Sequence, residues 1–530
     1  MIQVKINKDK FKYDIHSLVK AFYPKEDVSV LTNDEYDEKA KLKSTDKNVA
    51  ADDGNELFTI VIKLEDEVGE ISMQIIHKDG DVTKAQTKCD STDIGNPEAK
   101  ESANQSANGN VSTGQNSTNG TAASLSTPKN ALKQMLYREL VKEIGHYLPW
   151  GSLTGIRPTR IPMQMLEAGK EEAEIKSYMQ DTFFVSDEKT ELAYNIALRE
   201  KKILDDIDYE NGYSIYLGIP FCPTTCLYCS FTSFPIVTWK KKVDAYIDCL
   251  EKEIDYVAEA FKGKVVNSVY IGGGTPTTLE PDQMRRLINY LRDKIDLSEC
   301  REFTVESGRP DSITRDKLRA MKECGVDRIS VNPQTMSDET LKRIGRQHTV
   351  AQFIDAFNMA REEGFDNINM DIILGLPGET EEDVANTMKE IEKLGPDDLT
   401  VHSLSVKRGS RLAEHIRNNG FFVAGDTGRM MEIAKEGAAR MGLTPYYMYR
   451  QKNISGNLEN TGYAREGKAG IYNILMMEEV QSIVALGAGT VSKRVYGDGR
   501  IERCDNVKDV TLYMNSIDEM IERKKKLFEN

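Results

Sequence analysis

Apolar and polar residues alternate along the first eighty residues of the chain, in the segments IQVKINK, LFTIVIKLE and ISMQIIHKDG. Alternation with a period of two is typical of β-strands that bury one face. The segment SLVKAF, between the first two, has apolar residues at helical spacing. The pattern therefore predicts a small α+β module over residues 1–87.

Two segments of different texture follow this module. From about Cys89 to Thr127 the composition shifts to Asn, Ser, Thr, Gly and Ala, including NQSANGNVSTGQNSTNGTAASLST. This composition offers too little apolar surface to form a core, so residues 88–128 are predicted to be a disordered low-complexity linker or insert. Helical spacing then appears in NALKQMLYRELVKEIGHYL, AGKEEAEIKSYMQDTFF and SDEKTELAYNIALREKKIL, which predicts a helical neck over residues 129–207.

From about Tyr213 short β-branched runs alternate with longer amphipathic segments. The runs are YSIYLGI, VVNSVYI, REFTVES, DRISVN, INMDIIL and DLTVHSLSV. Six strand–helix alternations predict a parallel sheet curled into a partial or complete α/β barrel over residues 208–410. Beyond Gly409 helical patterns dominate, so residues 411–530 are predicted to be mainly helical, and the closing run SIDEMIERKKKLFE is interpreted as a solvated face.

Charge and hydropathy narrow the range of partners. The chain of 530 residues carries 85 acidic against 70 basic side chains, a net charge of −15, so it has no general electrostatic attraction to nucleic acid. No apolar run approaches the ~20 residues that a membrane-spanning helix needs. The start MIQVKINKDKFKYD has no apolar signal-peptide core, so a cytoplasmic location is expected.

Three of the eight cysteines, Cys222, Cys226 and Cys229, fall within the string CPTTCLYC directly after the first predicted barrel strand. Closely spaced cysteine thiolates hold iron–sulfur clusters, and three ligands leave one iron of a [4Fe-4S] cluster open. A zinc site completed by His348 or His402 is the alternative, although CxxxCxxC is a poor zinc-finger spacing. The other five cysteines are interpreted as small buried or half-buried hydrophobes.

The chain resembles the radical S-adenosylmethionine (SAM) superfamily, because CxxxCxxC follows a barrel strand. The longer string YLGIPFCPTTCLYCSF is similar to the oxygen-independent coproporphyrinogen III oxidase family. YIGGGTPT, TVESGRP, GVDRISVNPQTMSDETLKRIGRQH and NINMDIILGLPGET follow in the order of that family, and YYMYRQKNISGNLENTGYA resembles its HemZ-type branch. The resemblance implies a partial (β/α)6 TIM-like radical SAM barrel, a [4Fe-4S] cluster on the three cysteines, and SAM on its open iron.

The resemblance also implies a SAM pocket, with Tyr228 packing beside the cluster. Its expected residues are Tyr216, Gly273, Gly274, Thr275, Glu306, Gln334, Arg346 and Asp371. From the residues alone, the Gly272–Gly274 run is equally consistent with a tight strand–helix turn, and Glu306 with a structural arginine partner. A surface Arg346 paired with Glu339 or Asp338 is a further alternative.

The function implied is oxidative decarboxylation of two propionates of coproporphyrinogen III to vinyl groups in haem biosynthesis, with an unidentified electron donor. Lys407, Arg408 and Arg450 are candidates to bind the substrate carboxylates. His348 and His402 are interpreted as core or hydrogen-bonded histidines and are not assigned a catalytic role.

Two positions depart from the characterised oxidases, because Phe231 stands where they carry a fourth cysteine and Gly218 where they carry a histidine. A haem- or porphyrin-binding chaperone of the same family is therefore the alternative function. The chaperone branch carries a His-Asn-x-x-Tyr-Trp motif, and the tryptophans of this chain are Trp150 and Trp239, outside that motif.

Overall fold

The computed structural model describes residues 1–37, 57–65, 69–89, 127–231, 233–407, 409–419, 424–451 and 458–529. Most of the predicted linker lies outside these ranges, as does Arg408. The chain divides into two compact units, Met1–Tyr194 and Asn195–Asn530.

The first unit contains a five-stranded sheet with the order β2-β1-β3-β4-β5. The strands are β1 Ile2–Ile6, β2 Val28–Thr32, β3 Phe58–Glu65, β4 Glu70–His77 and β5 Val82–Lys88. Its helices include Lys12–Phe22, Pro128–Ile144, Arg160–Glu167 and Glu172–Phe183, and the helix Asp187–Leu204 spans the boundary between the two units in the sequence. Alternate residues such as Ile60 and Ile62 are buried against helices Lys12–Phe22 and Pro128–Ile144, as the period-two pattern predicts.

The second unit is built on an eleven-stranded sheet with the order β14-β15-β13-β12-β11-β10-β9-β6-β16-β17-β18, beside a two-stranded sheet β7-β8. The strands are β6 Tyr213–Ile219, β7 Phe221–Cys222, β8 Phe234–Pro235, β9 Val266–Gly273, β10 Glu302–Glu306, β11 Arg328–Ser330, β12 Ile368–Leu374, β13 Asp398–Ser403, β14 Thr444–Tyr449, β15 Asn460–Ala464, β16 Ser482–Leu486, β17 Val491–Val495 and β18 Ile501–Asp505. Six of them, β6 and β9 to β13, pair in parallel as neighbours, which confirms the predicted α/β fold.

Most of the helices of this unit pack on one face of the sheet and join its large core. They are Val243–Ala260, Pro281–Lys294, Arg315–Glu323, Val350–Glu362, Glu381–Leu394, Thr427–Arg440, Val510–Asn515 and Ile517–Phe528. The unit also contains the helices Ile236–Trp239, Asp338–Arg343, Arg411–Asn419 and Ile471–Glu478, and the last of these contacts the opposite face of the sheet through Tyr472. None of the helices in the described ranges is long and apolar enough to cross a membrane.

The two faces of the parallel strands differ in chemistry. Apolar residues such as Ile215, Val305 and Ile372 join one large core with the covering helices. The residues between them along the strands are largely polar. They include Ser214, Tyr216, Ser268, Tyr270, Glu302, Thr304, Glu306, Arg328, Asn369, Asp371, Asp398, Thr400 and His402. The face opposite the helices is therefore a polar surface, at which a ligand can be bound.

The C-terminal region contains more helix than strand, but it also contributes five strands that the sequence patterns did not predict. β15 pairs antiparallel with β13, and β16 pairs parallel with β6, so the region extends the sheet at both edges. β15 has the sequence NTGYA, in which no apolar alternation is visible, and its extended conformation depends on pairing with a distant strand.

The interpretation of the last helix as a solvated face is wrong for Lys524, which is fully buried. Its ammonium donates to Glu253 Oε1 at 2.7 Å and to Asn506 Oδ1 at 2.6 Å. Glu253 also accepts from the Gly487 N–H at 2.7 Å and from the Tyr513 hydroxyl at 2.5 Å. A fully hydrogen-bonded ion pair therefore fixes the C-terminal helix to the helix Val243–Ala260.

Candidate functional site

The three clustered cysteines lie on the loop after β6, at the carboxyl ends of the parallel strands. Cys226 is buried, and Cys222 and Cys229 are half-buried. The loop is held by backbone bonds from Leu227 N to Ile344 O at 2.9 Å and from Leu412 N to Leu227 O at 2.8 Å. A second apolar cluster packs against Leu227 and Tyr228, and it consists of Leu341, Ile344, Ile373, Leu376, Leu404 and Leu412. The loop is thus anchored by contacts with the protein on both sides of the cysteines.

Polar groups from the loops that follow β9 and β10 donate to the thiols. Thr275 Oγ1 lies 3.4 Å from Cys222 Sγ, and Arg309 Nη1 lies 3.5 Å from Cys226 Sγ. Arg309 is only 4% exposed, and Asp311 accepts from it at 2.9 and 2.8 Å. Burial raises the pKa of Cys222 and Cys229, so these thiols stay protonated until a metal displaces the proton.

The glycine turn after β9 packs directly on the cysteine loop. Gly273 has a φ of +107°, which favours glycine. A Cβ on Gly274 would lie 2.6 Å from Phe221 O and 3.0 Å from Cys222 Sγ, so a larger residue would displace the loop. The Gly274 and Thr275 N–H groups donate to Ile219 O and Phe221 O at 2.8 and 2.7 Å. The glycines therefore form a tight turn and also allow the backbone to approach Cys222 closely.

Gly218, where the oxidases carry histidine, is packed against the loop after β16. A Cβ at this position would lie 2.5 Å from Thr490 Cγ2. The Gly218 carbonyl accepts from the Tyr246 hydroxyl at 2.7 Å. The space beside residue 218 is occupied by Thr490, so this chain has no room there for an imidazole.

Glu306 lies at the end of β10 and faces the polar side of the sheet. The Tyr270 hydroxyl donates to its Oε1 at 2.5 Å. Burial, together with the negative charge of Asp371, raises the pKa of Glu306 to about 7. The Tyr270 ring stacks on Tyr216 and Tyr472, with centroid distances of 6.0 and 4.5 Å. Glu306 is thus hydrogen-bonded to a tyrosine side chain and to the Gly273 backbone, and not to the arginine considered from the sequence.

Asp371 on β12 is held charged by its neighbours. Asn332 Nδ2 and Asn369 Nδ2 each donate to its carboxylate at 2.8 Å, and His402 Nε2 lies 3.8 Å away. Burial favours the neutral acid, but the nearby His402 side chain and the hydrogen bond from Asn369 outweigh it and lower the pKa of Asp371. The Tyr449 hydroxyl lies 3.4 Å from His402 Nδ1. A continuous series of polar contacts therefore runs from Asp371 on β12 through His402 on β13 to Tyr449 on β14, and we call it the polar line.

Arg346 lies 8% exposed beside the cysteine loop, so the surface pairing with Glu339 or Asp338 is wrong. It donates to Gly308 O at 2.9 Å, to Asn332 O at 3.1 Å and to the Tyr228 hydroxyl at 3.3 Å. Its Nε is buried and has no hydrogen-bond partner among the described residues. One donor of Arg346 therefore remains available to a ligand.

Gln334 and His348 are both buried, Gln334 beside Asp371 and His348 near Arg346. Gln334 has a φ of +66°, and β12 holds it there by bonds from Gln334 N to Asp371 O and from Ile373 N to Gln334 O. His348 is buried, and burial together with Arg346 lowers its pKa to about 4. It is therefore a neutral core histidine, although neither ring nitrogen has a hydrogen-bond partner within the described ranges.

The structure brings the sequence-predicted residues together at one edge of the sheet. Contacts join Thr275 to Cys222, Tyr228 to Arg346, and Tyr216 through Tyr270 to Glu306. Sequence reasoning missed Arg309, Tyr270 and Tyr472, and it set His402 aside. Arg309 lies in the motif TVESGRP three residues after Glu306, so its position was a signal. Tyr472 lies on a helix about 200 residues after Tyr270, and no sequence pattern pointed to its contact with that residue.

The shifted pKa of Glu306 gives a pH dependence of stability. The pKa of Glu306 is 4.5, its ordinary value, in the unfolded chain and about 7 in the folded chain. Folding therefore takes up a proton at pH values between these two. The free energy of unfolding must therefore fall as pH rises through this window. Glu306→Gln keeps an acceptor for Tyr270 but cannot ionise. We expect this variant to gain on the order of 2 kcal/mol over the wild type between about pH 4.5 and pH 8.

The measurement is thermal unfolding of both proteins across this pH range, with neither cluster nor SAM present. Asp371 and Arg328 also influence the charge of Glu306, and both are retained in the variant. A difference in stability that does not change with pH would contradict the prediction.

The comparisons with known proteins agree with this geometry. Residues 216–391 match the Radical SAM superfamily profile. The chain is 40% identical over 408 residues to the oxygen-independent coproporphyrinogen-III oxidase-like protein HemZ of Bacillus subtilis (strain 168), covering 76% of this chain and 81% of that protein. The chain belongs to the radical SAM superfamily and, within it, to the coproporphyrinogen-III oxidase-like family of HemZ.

Other relatives in this family match a shorter part of the chain. The heme chaperone HemW of Bacillus subtilis is 35% identical over 195 residues, and the oxygen-independent coproporphyrinogen III oxidase of Escherichia coli (strain K12) is 35% identical over 192 residues. These matches cover 37% and 36% of this chain and 51% and 42% of the relatives. The solved structure of the Escherichia coli coproporphyrinogen III oxidase HemN aligns with a TM-score of 0.48 at 24% identity, over 61% of this chain and 73% of that one.

The cofactors of the radical SAM family are a [4Fe-4S] cluster and SAM, as the resemblance implied. The residues present fit this pair. Three free thiols share one anchored loop, Gly274 leaves room that a Cβ would fill, and Arg346 retains a free donor. Within the described residues no three His, Cys, Asp or Glu side chains converge on a single ion, and His402 lies against Asp371. In a cluster, by contrast, the cysteines bind different irons.

Proposed function

We propose that this chain is an oxygen-independent coproporphyrinogen III oxidase, which converts two propionates of its substrate to vinyl groups. Cys222, Cys226 and Cys229 hold the cluster in this proposal. SAM is bound by residues of the parallel strands and of the loops that follow them, namely Tyr216, Gly273, Gly274, Thr275, Glu306, Gln334, Arg346 and Asp371. When bound, the cluster and SAM supply a carbon-centred radical that removes a hydrogen atom from the propionate.

The observation that carries the proposal is the polar face beside the cysteine loop. A Cβ on Gly272 would lie 3.1 Å from the Glu306 carboxyl group, and a Cβ on Gly274 would lie 3.0 Å from Cys222 Sγ. The short turn Gly272–Gly274 therefore lies against Glu306 at one end and against the cysteine loop at the other. A ligand on this turn would contact both the metal site and the polar line.

Glu306 and Asp371 differ in protonation, which gives them different roles toward a ligand. Burial raises the pKa of Glu306 to about 7, so the protonated form, which donates a hydrogen bond, is accessible at neutral pH beside the charged form, which only accepts. Asp371 stays charged and accepts only. We assign Glu306 to bind hydroxyl groups of SAM. We assign Asp371 and His402 to hold the polar line in one arrangement.

Two cations at the same edge supply carboxylate-binding groups. β14 is antiparallel to β15, which is antiparallel to β13, so Arg450 after β14 and Lys407 after β13 share one edge. Arg450 is 5% exposed, and burial lowers its pKa to about 10, which leaves it charged at neutral pH. The segment after Lys407 contacts the cysteine loop through Leu412 N and Leu227 O. We assign both cations to the propionates that are not reacting.

The test is an anaerobic assay of the reconstituted protein with dithionite, SAM and coproporphyrinogen III. We expect 5′-deoxyadenosine and protoporphyrinogen IX to form together. Deoxyadenosine without the porphyrin product would overturn the assignment of substrate and keep the radical chemistry.

The second candidate is a haem carrier, which the match to heme chaperones named HemW favours. Stoichiometric haem binding by the anaerobically purified protein, with neither product in the assay, would support this candidate over the oxidase.

A further inference from the structure

An exposed surface lies immediately beside the cysteine loop. It consists of Phe231, Pro235, Val237 and the three consecutive lysines Lys240, Lys241 and Lys242, and we call it the loop-side patch. Val237 is 82% exposed and Phe231 is 77% exposed, which makes them two of the most exposed large apolar residues of the described chain. The lysines are also exposed. Apolar residues surrounded by charge are typical of surfaces that contact another protein.

The patch is structurally coupled to the metal-binding loop. In the β7-β8 pair, Cys222 is the register partner of the exposed Pro235, and neighbouring strands lie ~4.8 Å apart. The Trp239 ring packs on Phe221, the residue before Cys222, with centroids 6.2 Å apart. The Phe231 N–H also lies within hydrogen-bonding reach of Cys229. A protein bound to the patch would therefore contact β8, the strand next to the one that carries Cys222.

The charge of the patch opposes that of the whole chain. The chain carries a net charge of −15, so a local group of three exposed lysines selects a partner whose contact surface is acidic. The nearby carboxylates are Glu280, which lies 3.5 Å from Lys240, and Asp244, which accepts from Gln283. Lys242 lies over the Trp239 ring at 5.2 Å, and Lys317 adds a further cation near Lys240. Cations remain in excess after these pairs are counted.

We propose that the loop-side patch is the docking site of a small acidic electron-carrier protein that reduces the cluster. The partner contributes acidic side chains to Lys240–Lys242 and an apolar surface to Phe231 and Val237. One electron leaves the reduced flavin or iron–sulfur centre of the carrier and enters the cluster, so the carrier is oxidised by one electron and the cluster is reduced by one. This proposal rests on the cluster proposed for the three cysteines but not on the identity of the porphyrin substrate.

The first test measures binding and needs no cluster. Calorimetric titration of the full-length chain, before iron and sulfide are added, with flavodoxin as a small acidic FMN-containing probe should show binding that weakens as salt rises. Lys241→Glu/Lys242→Glu should raise the Kd at least ~10-fold. Lys262→Glu/Lys264→Glu is the matched control, because it reverses two exposed lysines at the other end of the helix Val243–Ala260, one of them over the Phe261 ring. An equal Kd for both variants would overturn the proposal.

The second test follows the cluster of the reconstituted protein by stopped-flow absorbance. Reduced flavodoxin should reduce the cluster of Lys241→Glu/Lys242→Glu at least ~10-fold more slowly than that of the control variant, whereas dithionite should reduce both equally. Equal rates with flavodoxin would overturn the docking site and leave the oxidase proposal standing. A chain that assembles no cluster would overturn both, whereas normal reduction without a porphyrin product would overturn the oxidase proposal alone.

Discussion

Replacing Cys226 by alanine is expected to abolish the cluster and, with it, all cleavage of SAM. Two thiols cannot hold three irons of a cubane, and no other cysteine lies on the loop. We expect the visible absorbance of the reconstituted protein to disappear and the rate of 5′-deoxyadenosine formation to fall at least ~10³-fold, or about 4 kcal/mol in activation free energy.

The fold should survive this substitution because the buried cation that faces Cys226 keeps its other partners. Arg309 still donates to Asp311 and to the Thr224 carbonyl at 3.1 Å. Its charge is therefore still paired after the thiol is removed. Far-ultraviolet circular dichroism should show an unchanged secondary structure.

Cys249→Ala is the matched control, because Cys249 is as buried as Cys226, at 8% exposure, but lies on the helix Val243–Ala260 in the large core. It should lower stability by about 1 kcal/mol and leave cluster content unchanged. Cluster absorbance retained by Cys226→Ala, or lost equally in Cys249→Ala, would contradict the assignment of the metal ligands.

The sequence predicts the parallel strands well because apolar residues that face the core alternate along each strand with polar residues that face away from it. It also places the cysteines, the glycine turn and Glu306 at strand ends, since parallel strands bring their carboxyl ends to one edge. The partners of these groups were not predictable. Tyr270 reaches Glu306 from 36 residues away, and only the register of β9 against β10 brings them together.

The same reason explains the errors in the C-terminal region. Lys524 lies in a charged run that is typical of a solvent-exposed helix face. Its partner Glu253 is 271 residues earlier in the chain. β15 and β16 are extended because they pair with β13 and β6, not because of their own composition. Local patterns report which face of an element is buried, whereas the identity of a distant partner depends on topology that short-range periodicity does not contain.

The second large effect is expected at a buried ion pair on the polar face, near the amino ends of the strands. Arg328 Nη2 donates to Asp398 Oδ2 at 2.5 Å, and their side chains are 2% and 0% exposed. The Tyr446 hydroxyl donates to the same oxygen at 2.9 Å. Burial raises the pKa of Asp398 to about 6, even with the arginine in place. The arginine is therefore what allows this carboxylate to stay charged at neutral pH.

Arg328→Met should destabilise the second unit by about 3–5 kcal/mol at neutral pH, because it leaves Asp398 buried without a counter-charge. The melting temperature should fall by roughly 5–10 °C. In the variant the pKa of Asp398 rises further above its unfolded value of 3.8, so the loss should shrink as pH falls toward about 5 and the carboxyl takes up a proton. Arg328→Met/Asp398→Asn should recover part of the stability at neutral pH, since no charge is then buried.

Arg286→Met is the control for this prediction. Arg286 also pairs with two carboxylates, Asp248 and Glu251, but it is 39% exposed, so its loss should cost less than about 1 kcal/mol. Thermal unfolding of the four proteins at about pH 5 and pH 8 separates the effects. A melting temperature for Arg328→Met that matches that of Arg286→Met at both pH values would show that the buried pair does not stabilise the sheet, whereas a loss confined to the higher pH identifies the unpaired Asp398 charge as its cause.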